Sequence, residues 1–466
     1  MFIFPIIYFS SFLLAVKELI QKNKEGVLLF LIFGLPIYTT SLSIVFQTGF
    51  RSMLPLIQSS KEVIVLIMLG ISIWELKRKI KLQLIDYLVF AYLVYTLLYV
   101  FLPIGQYGFF NKLLAFKSST FFVFIYLAGR LLNISEIYIS KYFHYILLVA
   151  IAATLLLAFE KMNNQHFQTL TGYADLNYYY FNQEPTGNYD LSWTFETSTG
   201  LKRFASFFSS PLEYAAATLL SLAVIMGLYT TQNNKIKLDT FGIIALISTQ
   251  LAIFFAISRA SLISYFIMVY LYAWITRNRN ILNYIHIGLI AVILYFIFFL
   301  FFINPDLYEF IYETVTFTNP SSLAHVIAWL EGIEAMISNP LGLGLGESGR
   351  FAGTNGESVG GENQFIIIGV QTGIFTLLLY LAMQIYIIKT CWVWYPKLSG
   401  KNKKVCLTLL FMKVGLIIPM LTSEIESSVY ISYITWFLSG VFVNIIAGNR
   451  QNGKILRHNH TDLQHQ

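Results

Sequence analysis

Apolar runs of about 20 residues recur along the chain, each long enough to cross about 30 Å of hydrocarbon as a helix. About thirteen can be distinguished, over residues 2–16, 27–46, 62–74, 84–104, 118–133, 143–159, 211–229, 240–257, 260–275, 285–303, 365–388, 405–422 and 429–446. Most connections between them are short. Two are long, residues 160–210 and 304–364, and connections of that length are as a rule functional or disordered. The first carries Tyr178, Tyr179, Tyr180, Asp190 and Trp193, too aromatic a content for disorder, so it is expected to be ordered. In the second, Asn319 can cap a helix whose first position is Pro320, with Leu323, Val326, Leu330, Ile333 and Ile337 on one face. Such a helix should lie along the membrane surface or pack on the spans, and it should stop at Asn339-Pro340. The pattern predicts an all-α polytopic membrane protein, one domain over residues 1–466 with two long loops and a polar tail at 447–466. No internal repeat supports the inverted-repeat architecture of many transporters.

Composition sharpens this picture. Charged residues are 12% of the chain and hydrophobic residues 56%, against roughly 25% charged in a soluble domain. The mean hydropathy of +0.65 makes bilayer the solvent for most of the chain, and the 17% aromatic content fits rings anchored at headgroup level. The first residues, Met-Phe-Ile-Phe-Pro, lack a basic leader and a cleavage site and read as a retained span.

The net charge of +7 accompanies no basic face or RNA-type motif, so nucleic acid is not the expected partner. It fits orientation in a membrane, because Lys and Arg gather on cytosolic loops. Lys77, Arg78, Lys79 and Lys81, then Lys397, Lys401, Lys403 and Lys404, then Arg450, Lys454 and Arg457 fall on alternate connections. These are expected to be cytosolic, with residues 160–210 and 304–364 external, the C-terminus inside and the N-terminus outside. Cys391 and Cys406 flank a loop on the cytosolic side, where thiols stay reduced and no disulfide is expected.

Candidate chemistry collects on the opposite side. Arg259, in Ile257-Ser258-Arg259-Ala260-Ser261, sits between two spans where the positive-inside bias disfavours it, and such cations often mark a ligand pathway; snorkelling to headgroups is the alternative. Arg203 precedes the span at Pro211 and offers the fixed bidentate donors that suit phosphate, with an ion pair to Glu213 or Asp190 as the alternative. Gly342, Gly344 and Gly346 can turn backbone N–H groups toward an anion, with Arg350 close behind; a flexible unliganded loop would use the same glycines. Glu362 and Asn363 stand where the second loop re-enters the membrane, and the carboxylate could accept a proton from a sugar hydroxyl or serve the first turn of a helix. His325, one helical turn from Trp329, is a second base candidate. Glu424 and Glu426 read as a solvated pair on a turn. His144, His286, His458, His460 and His465 have no metal-ligand spacing, so no catalytic zinc is expected.

Taken in order, Arg203 with Phe207 and Pro211, Ser258-Arg259-Ala260, the amphipathic helix, Asn339-Pro340-Leu341-Gly342-Leu343-Gly344, and Glu362-Asn363 followed by Gly373-Ile374 resemble the O-antigen polymerase and O-antigen ligase superfamily of membrane proteins. The resemblance covers about residues 200–380. It implies a C-type membrane glycosyltransferase architecture and metal-independent, cofactor-free transfer of a glycan from undecaprenyl pyrophosphate to an acceptor hydroxyl on the external face of the plasma membrane, with inversion. It implies that Arg203 and Arg259 neutralise the pyrophosphate, with Glu362 or His325 as base, while Tyr179 and Trp193 hold sugars. A chain-length regulator is a possible partner. Ligases of the family present His-Asn where this chain has Glu362-Asn363, which favours polymerase; Ala205-Ser206 stands where a glycine is usual. A lipid-glycan flippase is the reading of another class, and it would spread charges along the spans. Lys413, inside a span, is the one residue that fits it.

Overall fold

The computed structural model describes residues 1–76, 80–132, 134–197, 200–302, 320–355 and 358–462. Each of the apolar runs falls in a helix. They are α1 (Ile3–Ile20), α2 (Lys24–Gln47), α3 (Arg51–Trp74), α4 (Leu84–Phe101), α5 (Phe109–Arg130) and α6 (Ile139–Asn163), then, after a short loop helix α7 (Tyr173–Phe181), α8 (Pro211–Tyr229). There follow α9 (Thr240–Ala256), α10 (Arg259–Ile275), α11 (Arg279–Phe302), α12 (Pro320–Ser338), α13 (Gly349–Asn355), α14 (Gln364–Lys397), α15 (Gly400–Thr422) and α16 (Val429–Asp462). Among the described residues, 10 helices are long and apolar enough to cross a membrane: α1 to α6, α8, α14, α15 and the Val429–Asn449 part of α16. The apolar α9 and α10 have 17 residues each, about 25 Å of helix. The chain is an all-helical membrane protein, and no strand occurs among the described residues.

At the centre stands α8. Ser210 caps it, its hydroxyl accepting from the Glu213 N–H at 3.2 Å, and Pro211 occupies the first turn where its missing N–H costs nothing. Every residue of α8 except Leu212 is buried, because α6, α9, α10 and α15 surround it. Beside it α5 and α16 press together through glycine: a Cβ on Gly129 would lie 2.1 Å from the Phe437 carbonyl oxygen, and one on Gly440 2.1 Å from that of Tyr126. Small residues at such crossings let backbones approach where no water drives helices together.

The connections sort to two ends of the bundle. At one end Lys403 donates to the carbonyls of Thr231 and Gln232 and to Asn234, Lys401 to the Ser135 carbonyl, and Arg130 pairs with Asp86 at 3.1 Å. At the other, Ser206 N–H donates to Glu160, Gln106 N–H to Glu347 and Arg350 N–H to Glu424. The first end is basic; the second gathers the two long loops.

The break in α14 shapes that second end. Thr372 and Gly373 leave helical geometry, Gly373 at φ 84°, and the interruption frees the carbonyls before it. The segment after α12 fills the gap: Leu343 N–H donates to Val370 O at 2.7 Å, Gly344 N–H to Gln371 O at 3.0 Å, and Ile374 N–H to Pro340 O at 3.0 Å. Backbone groups freed inside a membrane protein must find such partners. The expected helix at 320–338 is present as α12, while its proposed cap Asn319 lies outside the described residues. Trp329, Ala335 and Met336 pack against Ile366 and Val370 of α14. Leu323, Leu330, Ile333 and Ile337 remain exposed, as lying along a membrane surface requires.

Two expectations about charge are corrected here. Glu424 and Glu426 are not a solvated pair, since both are half-buried in the turn before α16. Glu426 accepts from Trp436 Nε1 at 2.8 Å, from Ser432 Oγ and from the Tyr380 hydroxyl, and Lys413 lies 3.7 Å over the Trp436 ring. Lys413 thus closes a set around Glu426.

Candidate functional site

Arg203 leaves the first loop in a tight hairpin, in which Glu196 and Lys202 bridge and Arg203 N–H donates to Phe195 O at 2.8 Å. Three residues on, Ser206 adopts φ 54°, the left-handed region that favours glycine. Its backbone N–H donates to the buried Glu160 carboxylate at 2.9 Å and its hydroxyl to Ala153 O at 2.8 Å, which hold the turn without a glycine. This fixes the direction in which Arg203 leaves the chain. No ion pair joins Arg203 to Glu213 or Asp190 among the described residues, and its Nε–H is buried with no hydrogen-bond partner.

Arg259 is the first residue of α10, following Ile257 at φ 47° and the capping Ser258. A cation there opposes the helix dipole, whose positive end attracts anions. The side chain is exposed. It lies close enough to Arg203 that its charge, after burial, holds the Arg203 pKa below the usual arginine value. Two like charges are therefore kept together across sequence positions 56 apart, an arrangement that an anion between them would relieve.

His325 on α12 joins the same group. Burial first, opposed by Glu362 and then reinforced by Arg259 and Arg203, holds its pKa below the ordinary value for histidine, so it is a neutral proton acceptor at pH 7. Glu362, exposed just before α14, lies within electrostatic reach of it. The four residues singled out for chemistry, Arg203, Arg259, His325 and Glu362, thus come from four separate segments to one place.

Other candidates take different roles. The phosphate-cradle role expected of Gly342 and Gly344 is overturned, because their N–H groups donate to Asn339 O and Gln371 O. Both are buried and needed for close backbone approach: a Cβ at Gly342 would lie 2.6 Å from Gly373 N, and one at Gly344 2.7 Å from Gly105 Cα. Gly346 is likewise buried, against Phe351 and Tyr107. Asn363 caps α14, its side-chain oxygen accepting from Phe365 and Ile366 N–H at 3.0 and 3.3 Å, and this oxygen is not available to substrate. Tyr179 and Trp193 stand exposed on the first loop, and no contact among the described residues joins them to the arginines.

Arg350 is exposed, and its charge acts on Glu424, Glu213 and Tyr173. Glu424 is the residue that sequence reasoning misplaced. Burial raises its pKa, opposed by Arg350, whose N–H donates to it at 2.8 Å, and assisted by Glu362 and Glu426. Trp329, one helical turn from His325, has a buried indole Nε1 without a partner, a further donor on the helix that carries His325. The combination can bind an anion, take up a proton and offer donors to hydroxyl groups. No known family model and no curated protein matches this chain.

Proposed function

We propose that this chain is an inverting membrane glycosyltransferase that polymerises lipid-linked glycan repeat units on the external face of the plasma membrane. The observation that carries the reading is that Arg203, with a buried, unpartnered N–H, and Arg259 lie within electrostatic reach of each other and of His325, which Glu362 also reaches. Fixed guanidinium donors match a pyrophosphate leaving group, whose charge grows as its bond to the sugar breaks. Support also comes from the resemblance of residues 200–380 to the O-antigen polymerase and ligase superfamily.

In this mechanism the donor's undecaprenyl pyrophosphate lies against Arg203 and Arg259. A hydroxyl of a second carrier-linked unit attacks the anomeric carbon from the face opposite the pyrophosphate. The new carbon–oxygen bond forms as the bond to pyrophosphate breaks, the electron pair leaves with the pyrophosphate, and Glu362, with neutral His325 beside it, takes the hydroxyl proton. A deletion strain is expected to retain single repeat units on the carrier and to lose the polymer ladder on a polysaccharide gel. Accumulation of units confined to the cytosolic leaflet would instead mark a flippase.

The flippase reading would draw on charges inside the spans. Lys413 is stacked on Trp436, which donates to Glu426, and Arg130 pairs with Asp86, to which the Tyr126 hydroxyl also donates. These are closed sets, and they favour the catalytic reading. Orientation has its own test. The native cysteines are buried, and nothing lies within 4 Å of a Cβ at Gly353, so Gly353→Cys should react with an impermeant thiol reagent on intact cells while Lys401→Cys should not. The reverse result would put the arginines on the cytosolic side and sink the proposal.

A further inference from the structure

His166 stands just after α6, 1% exposed, and neither of its ring nitrogens has a hydrogen-bond partner. Buried polar atoms are rarely left in that state. Three rings enclose the imidazole: Tyr189, Phe195 and Phe204, with centroids 5.3, 5.5 and 5.3 Å from its own. Two of them hold the backbone of Arg203, because Arg203 N–H donates to Phe195 O and Phe204 is the next residue. The polar groups around the box are bonded elsewhere. Glu196 accepts from Asn188 N–H and Nδ2 through its two oxygens, the Tyr189 hydroxyl donates to Gly200 O, and Glu160 accepts from the Phe167 and Ser206 N–H groups. Two cations already lie on the box, Lys202 4.8 Å over the Tyr189 ring and Lys161 5.7 Å over the Phe204 ring. A second proton on the imidazole therefore adds a buried charge with no acceptor beside two lysines, which is costly. Burial first, then Lys202, push the His166 pKa down to about 4, against the opposing pull of Glu196.

We propose that His166 is a positioning residue for Arg203: its neutral ring holds the hairpin that carries Arg203, and its protonation at acid pH releases that hairpin and the guanidinium with it. The effect on catalysis rests on the polymerase reading, whereas the release of the hairpin does not. In an opened hairpin the imidazole is solvated and titrates near its ordinary 6.5, while the closed one resists protonation down to about 4. The closed form is thus fully favoured above pH 6.5 and loses ground as pH falls from 6.5 toward 4. Between pH 8 and pH 5 the opening equilibrium should rise about thirtyfold.

Hydrogen exchange of the purified full-length protein in detergent reads that equilibrium without substrate, at the amides of Phe195, Arg203 and Ser206 and with the intrinsic effect of pH divided out. Wild type should lose protection about thirtyfold from pH 8 to pH 5, and His166→Phe, which keeps a packing ring and cannot titrate, less than about threefold. His166→Leu should follow His166→Phe. Unchanged protection in the wild type overturns the proposal. An equal loss in wild type and both variants also overturns it, since another group such as Glu160 would then carry the effect. Protection already absent at pH 8 in both variants overturns it as well, because neutral packing would not be what holds the hairpin. Chain growth on carrier-linked repeat units should fall more steeply from pH 8 to pH 5 in the wild type than in His166→Phe. Equal falls overturn the positioning of Arg203 by His166. Absence of chain growth in every form at both pH values removes the polymerase reading, and the exchange result still decides whether His166 holds the hairpin.

Discussion

Arg203→Lys and Arg259→Lys should each lower polymer formation about a hundredfold, on the order of 3 kcal/mol in the transition state, with protein levels in the membrane near wild type. Lysine keeps the charge but loses the planar fork of donors. For Arg203 the argument is specific, because the buried Nε–H that lacks a partner has no counterpart in lysine. For Arg259 a role in snorkelling predicts little change, since lysine reaches headgroups as well. The measurement is chain growth on purified carrier-linked repeat units with membrane protein quantified in parallel. Normal polymerisation by both variants would take the arginines out of the chemistry, and a matching loss of protein would make their role structural.

Glu426→Ala should destabilise the protein by about 3–5 kcal/mol, the usual cost of removing one partner from a buried charged set. The substitution leaves Tyr380 and Trp436 without their acceptor, and Lys413 without the negative charge beyond the indole. Adding Lys413→Met should recover a large part of the loss, because the uncompensated cation is then gone. Thermal unfolding of the two single variants and the double variant in detergent gives the coupling. Additive losses would show that Lys413 and Glu426 act independently, and a stable Glu426→Ala protein would refute the closed set. The same pair bears on function, since an interior charge needed for folding is no sign of a transport path.

The architecture was readable in the sequence because length and apolarity alone decide what can cross a bilayer. Every apolar run became a helix, and the Pro320 start and the stop before Pro340 were signalled by proline's missing N–H and its steric effect on the preceding residue. The four residues proposed for chemistry were also visible one at a time: Arg203 and Arg259 as cations in disfavoured positions, Glu362 as an acid at membrane re-entry and His325 as a histidine on the amphipathic helix. What each residue faces was not readable. Gly342 and Gly344 have the composition of an anion nest, yet their partners are Gln371, Gly373 and Gly105, which no local spacing announces. Asn363 followed by an apolar run was a capping signal, and in the structure that reading outweighs substrate binding. Glu424 and Glu426 looked solvated because a turn is polar by default; only the packing of Trp436, Tyr380 and Arg350 around them takes them out of solvent.

The candidate site is assembled from positions 203, 259, 325 and 362, which come together only in the folded chain. A chain made from its N-terminus acquires Arg203 early, but His325 and Glu362 follow 122 and 159 residues later, at the rate of roughly 5–20 residues per second. The Gly342–Gly344 segment cannot dock before α14 exists to receive it. Until then Glu362 has not been brought to its place, and a half-made protein in the membrane lacks the group proposed to take the proton. Competence for chemistry therefore arrives with the last helices, after the bundle that supports it has been inserted.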